Sequence, residues 1–178
     1  MEPDRRSIRL PFHDYTTAAV YFVTMCAFQR LPLFGDVVGD AVRLSPAGRI
    51  VQEEWERTAE VRQGVAVDSF VVMPNHVHGI LWLGWDVPER LRGKGGGDQP
   101  DGRQGFAPGS LGSIVAHFKA GATRRVAALQ GDLAGPLWQR NYYERLIGSR
   151  EELQAIRGYI LLNPTRWQND PENIKRTA

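Results

Sequence analysis

The hydrophobic pattern of this chain moves between two periods, one suited to strands and one to helices. From Ala18 to Phe28 the residues are apolar, β-branched or aromatic, bounded by Asp14 and Tyr15 on one side and the Arg30-Leu31-Pro32 break on the other, which predicts a first strand. A loop containing Gly and Asp follows. Ser45-Pro46 then reads as a helix start, with Ser at the N-cap and Pro at the first helical position, and Ile50, Val51, Trp55 and Thr58 or Ala59 recur at helical spacing. Val67 to Val72 and His76 to Leu83 are two further strand-like runs, joined by Met73-Pro74-Asn75 as a hairpin connection.

From Gly84 to Gly109 the periodicity disappears into a Gly-rich, polar stretch, which predicts a flexible insertion. Ser110 offers the next N-cap. Leu111, Ile114, Val115, Phe118, Ala122, Val126 and Leu129 trace an apolar helical stripe that stops at Gly131. Leu137 to Ile147 reads as a fourth strand, and Ser149-Arg150-Glu151-Glu152 as a capping box opening a last helix through about Asn163, with Pro164 ending it. The order strand, helix, strand, strand, helix, strand, helix is similar to a split βαβ, ferredoxin-like α+β sandwich. The expectation is an antiparallel sheet with helices on one face and an appended C-terminal helix, in a single domain over 1–178 with an insertion at about 84–109.

Composition changes this picture little. Hydrophobic residues at 42% and charged residues at 24% are those of a globular protein and exclude a disordered chain. No apolar run reaches the roughly 18 to 20 residues of a membrane helix, and the first ten residues lack the apolar block of a signal peptide, so a cytoplasmic protein with no membrane partner is expected. The single cysteine, Cys26, lies in an apolar run, where a buried, inert thiol is expected. Charge is uneven: residues 1–109 carry 12 basic and 14 acidic side chains, residues 110–178 carry 10 and 6. A basic C-terminal part suits a polyanion partner.

His76-Val77-His78 opens a predicted strand, where residues two apart share a face, so both imidazoles can converge on one ion. Alone, such a pair is as well explained as two histidines on an exposed strand. Tyr159 and Asn163 stand four apart on the last helix and therefore share a face, a phenol beside an amide oxygen that a hard divalent cation accepts. Each of these also has an ordinary reading, a half-buried helix tyrosine beside Ile156 and Ile160 and a helix-end asparagine.

Taken together and in order, Val72-Met73-Pro74-Asn75-His76-Val77-His78 and Tyr159-Ile160-Leu161-Leu162-Asn163-Pro164 resemble the single-tyrosine HUH transposases. Trp138-Gln139-Arg140-Asn141-Tyr142-Tyr143-Glu144 is similar to the strand preceding the tyrosine helix in the REP-associated tyrosine transposases, and the likeness runs from the first strand through Trp167. The resemblance implies a divalent ion, Mg²⁺ or Mn²⁺, held by His76, His78 and Asn163, the last at a position where that family uses Gln, Asn, Asp or His. It implies Tyr159 as catalytic nucleophile, cutting single-stranded DNA at or near a hairpin to leave a 5′-phosphotyrosine and a free 3′-hydroxyl, with strand transfer by reversal. It leaves open a monomer or a homodimer with the tyrosine helix donated in trans.

Lys119, Arg124 and Arg125 on the second long helix and Arg140 and Arg145 on the fourth strand are candidate phosphate contacts. Trp138, Tyr142 and Tyr143 are candidate stacking partners for an unpaired base, each equally explicable as a core aromatic. Three rival readings differ in what they require of the sequence. A histidine-triad hydrolase would need a third histidine where Ile80 stands, and an RNA-binding ferredoxin-like domain would need an aromatic Lys/Arg-Gly motif that is missing. A domesticated, nonenzymatic hairpin-binding module of the same fold is the alternative, against which the intact His76, His78 and Tyr159 speak.

Overall fold

The computed structural model describes residues 18–84, 109–131 and 135–173; the predicted insertion lies, apart from its two end glycines, outside the described residues. The elements are β1 (Ala19–Cys26), β2 (Gly35–Val38), β3 (Ala41–Leu44), α1 (Pro46–Glu60), β4 (Val65–Met73), β5 (His76–Leu83), α2 (Leu111–Gln130), β6 (Tyr143–Leu146) and α3 (Arg150–Leu161), the last followed by a 3-10 turn over Pro164–Asn169. β4, β5, β1 and β6 form one four-stranded sheet in that order, with every neighbouring pair antiparallel. This is the expected ferredoxin-like arrangement. Among the described residues no helix is long and apolar enough to cross a membrane.

The alternation of side chains along each strand sorts the core into two layers. Tyr21, Val23 and Met25 of β1 and Val77, Leu81 and Leu83 of β5 pack with Val51 and Trp55 of α1 and Ile114 and Phe118 of α2. On the opposite face Phe22 of β1 and Ile80 of β5 meet Leu153 and Ile160 of α3. The two long helices thus cover one face, and the tyrosine-bearing helix the other. β5 is covered on both sides, which is why it reads as a nearly unbroken apolar run rather than an alternating one.

Gly79 has a packing reason. A Cβ placed there would lie 2.3 Å from the ring of Trp55, so only glycine lets that indole lie flat on β5. In β4, Val67 pairs with Leu81 and Phe70 with Gly79, so Asp68 and Ser69 together oppose Ile80, a bulge.

Serines cap all three α-helices among the described residues: Ser45, Ser110 and Ser149 accept from the amides of Gly48, Ser113 and Glu152. The Glu152 carboxylate reaches past its own cap to the amide of Gly148 at 2.9 Å, one residue earlier than a capping box requires.

Three expectations are corrected. The loop before α1 contains the β2–β3 ribbon, whose four-residue strands turn at Gly39. The fourth strand is shorter than 137–147: Trp138 makes only an isolated bridge to Ala27, because the carbonyls of Gln139 and Asn141 accept from the Lys119 amine of α2 instead of from a strand. Finally, Pro164 does not turn the chain out of helical geometry. α3 ends at Leu161, Asn163 keeps φ −60 and ψ −42, and the chain tightens into the 3-10 turn. Of the predicted α2 stripe, Leu129 is exposed.

Candidate functional site

The tight Pro74–Asn75 turn delivers His76 and His78 to the start of β5, both buried and both on the α3 side of the sheet. Asn75 fixes the first of them. Its side-chain amide donates to the carbonyls of Arg30 at 3.1 Å and Glu172 at 2.7 Å, so its oxygen is the atom facing His76 Nδ1 at 2.9 Å. An amide oxygen only accepts, so Nδ1 carries the proton and Nε2 presents a lone pair. That Nε2 is buried with no hydrogen-bond partner among the described residues, and lies 4.0 Å from Asp170 Oδ2. Burial, aided by the Arg30 charge, lowers the His76 pKa to about 3, so the ring is neutral at physiological pH.

His78 is held at both nitrogens, Nδ1 2.8 Å from Thr24 Oγ1 on β1 and Nε2 3.2 Å from the Tyr159 hydroxyl on α3. Burial, then the neighbouring His76, lowers its pKa well below the ordinary value despite the opposing pull of Asp170. Tyr159 is raised, first by burial and then by the Asp170 charge, against the Asn163 amide beside it. At neutral pH the site therefore holds two neutral imidazoles and a protonated phenol.

The 3-10 turn after α3 brings the chain back across this cluster. Asn163 Nδ2 donates to Asp170 Oδ2 at 3.1 Å, and the buried Asn163 Oδ1 has no hydrogen-bond partner among the described residues. His76, His78 and Asp170 each place a ligand atom within 4.8 Å of one another. Two imidazoles, a carboxylate and an amide oxygen form a mixed N/O set suited to a divalent cation, and two of these groups hold buried lone pairs that the described protein leaves unmatched. The group can therefore hold a divalent metal. Arg30, at φ 54 after Gln29 at φ 51, pairs with Glu172 at 3.0 Å, and the Cys26 thiol donates to the same carboxylate at 3.4 Å.

Thus His76, His78, Tyr159 and Asn163 come together as the motif order suggested. The basic residues do not. Lys119, Arg124 and Arg125 ride on α2, across the sheet from this cluster. Burial lowers Lys119 to about 8 while it donates to two carbonyls, and Arg125 pairs with Glu53 and Glu54 of α1. Arg124 and Arg140 are exposed, and Arg145 on β6 pairs with Glu152 at 2.6 Å. Sequence reasoning missed Asp170, Glu172, Thr24 and Arg30. The only signal for the first two was a pair of carboxylates around Pro171 shortly after the tyrosine helix.

A strand carrying His-x-His that meets a helical tyrosine on one face of a ferredoxin-like sheet defines a protein with the tyrosine-transposase fold. Among solved structures, that of a REP-associated tyrosine transposase bound to a REP hairpin superposes with a TM-score of 0.57 at 16% identity, covering 90% of this chain and 74% of that one. The fold is shared with that transposase, in agreement with the motif resemblance. An uncharacterized protein of Haemophilus influenzae is 36% identical over 173 residues, spanning 93% of this chain and 91% of that protein. The chain belongs to the same family as that protein. No family model matches it.

Proposed function

We propose that this protein is a metal-dependent, single-strand DNA nicking and strand-transfer enzyme in which Tyr159 is the nucleophile. The observation that carries the reading is the Tyr159 hydroxyl 3.2 Å from His78 Nε2, at the edge of a buried cluster with unmatched metal-ligating atoms. His76, His78 and Asp170 would hold the ion, with the Asn163 oxygen as a further ligand and its amide nitrogen orienting the Asp170 carboxylate. What Mg²⁺ or Mn²⁺ supplies at such a site is positive charge against the phosphate oxygens and the developing phenolate.

The phenol oxygen forms a bond to phosphorus while the bond to the 3′ oxygen breaks, and the proton lost by Tyr159 is matched by the one the 3′-hydroxyl gains. The 5′-phosphotyrosine keeps the phosphodiester energy, so attack by another 3′-hydroxyl rejoins strands. Thr24 and Asn75 orient the two imidazoles from their far nitrogens, as partners of metal-bound histidines do. The shared fold with a transposase bound to a REP hairpin supports a hairpin-bearing DNA partner. Arg140, exposed and just before the edge strand, is the better placed phosphate contact, since Lys119 and Arg125 are engaged within the fold and Arg124 lies on the far side of the sheet.

Single-stranded oligonucleotides carrying hairpins from the flanks of the protein's own gene test this. With Mg²⁺ or Mn²⁺ the wild type should form a covalent adduct on a denaturing gel, absent in Tyr159→Phe and reduced in His78→Ala by more than the roughly 10- to 100-fold that loss of a ligand's outer partner costs. Tight hairpin binding without adduct under either metal would replace this reading by the nonenzymatic module.

A further inference from the structure

Of the three aromatic residues before α3 that could meet a base, the fold leaves one in position. Trp138 is packed between Phe34 at 5.0 Å and Phe118 at 5.4 Å, and its indole donates to the Lys119 carbonyl. Tyr142 packs against the same core layer under α1 and α2. Tyr143 is different. It opens the edge strand β6, pairs with Thr24 of β1, and is 47% exposed.

Its ring also belongs to the site's own face of the sheet. Phe22 makes an edge contact with Tyr143 at 6.4 Å, an edge contact with Tyr159 at 6.1 Å, and a stacked contact with His78 at 5.3 Å. One buried phenylalanine thus touches the proposed nucleophile, a candidate metal ligand and an exposed aromatic at once. Arg145, two residues along β6 and so on the same side as Tyr143, pairs with Glu152 at 2.6 Å and ties this strand to α3.

We propose that Tyr143 is the stacking platform for the base flanking the phosphate that Tyr159 attacks, a positioning contact that sets which backbone bond faces the nucleophile. This rests on the nicking function proposed above. An unpaired base presents an apolar π-face to an exposed ring, and such stacking tolerates any base while still fixing register. A ring held by Phe22 loses little conformational freedom when a base lands on it.

The test uses the hairpin oligonucleotide that forms the adduct, with 2-aminopurine placed in turn at each single-stranded position around the mapped nick. On binding to Tyr159→Phe protein, one position next to the nick should be quenched. The quench should vanish in the Tyr159→Phe/Tyr143→Ala protein and persist in Tyr159→Phe/Tyr143→Phe. Affinity should fall about 5- to 150-fold with the alanine, and an abasic nucleotide at that position should abolish this difference. A melting temperature for Tyr143→Ala equal to the wild type excludes misfolding as the cause. Adduct formation at wild-type rate with an unchanged quenching pattern in Tyr143→Ala overturns the proposal and leaves the nicking function standing. No adduct and no binding with any oligonucleotide removes both.

Discussion

Strand β5 shows its two faces to different surroundings. Toward α1 and α2 it presents Val77, Gly79, Leu81 and Leu83, met by a broad hydrocarbon layer in which Trp55, Ile114 and Leu111 are fully buried. Toward α3 it presents His76, His78, Ile80 and Trp82, met by a cluster of only a few buried apolar residues, of which α3 itself supplies Leu153 and Ile160. The first face is built for stability. The second trades buried apolar area for polar groups, and α3 is held there largely by specific bonds: the Asp68–Arg157 ion pair to the β4 bulge, the Arg145–Glu152 pair, and the Tyr159–His78 contact. A helix held this way is precisely placed without being deeply embedded, which suits the nucleophilic role proposed for Tyr159.

Three substitutions break or sharpen this contrast. Trp55→Ala should cost about 3–5 kcal/mol and lower the melting temperature sharply, because it empties a site walled by Phe118, Phe70 and Gly79. Asp68→Asn should cost roughly 1.5–3 kcal/mol, the range for hydrogen bonds to charged groups, and its cost should depend on pH. Burial raises the Asp68 carboxyl, but the bonds from Arg157, Trp82 and Ser69 and the Arg157 charge outweigh it, so its folded pKa lies below the ordinary 3.8. The unfolded chain then binds the proton more readily, so the wild-type advantage is full above about pH 5 and is lost as pH falls through the folded value. Melting curves of both proteins from pH 3 to pH 7 check the sign; a gap that widens in acid would be the wrong outcome. Leu161→Ser, at a position 78% exposed on α3, should change stability by less than about 0.5 kcal/mol in a denaturant titration. A large loss there would mean that α3 is covered by more than the described chain.

The periodic elements were legible because their signals are local. The serine caps, the apolar stripes of α1 and α2 and the two runs around Pro74-Asn75 each stand within a few residues of one another. The β2–β3 ribbon was hidden because Asp36, Gly39 and Asp40 give Gly35–Leu44 a loop-like composition, though Gly39-Asp40 is a turn signal between two valine-bearing strands. The segment 137–142 misled in the opposite way: it has strand-like residues, but its carbonyls are claimed by Lys119, a partner 20 residues earlier. At the site, His76, His78, Tyr159 and Asn163 were found by motif, whereas Asp170 and Glu172 lie in a stretch without periodicity. Their role depends on a turn geometry, with Asn163 helical before a proline, that local preference argues against.

The return of the chain at Asp170 has a consequence for the order in which the protein is made. His76 and Asp170 approach to 4.0 Å although 94 positions separate them in sequence, and Tyr159 also emerges long after both histidines. A nascent chain that has released only β1 to β5 holds the two imidazoles and neither the phenol nor the carboxylate. Only a chain synthesised through Asp170 carries the complete cluster of His76, His78, Tyr159 and Asp170.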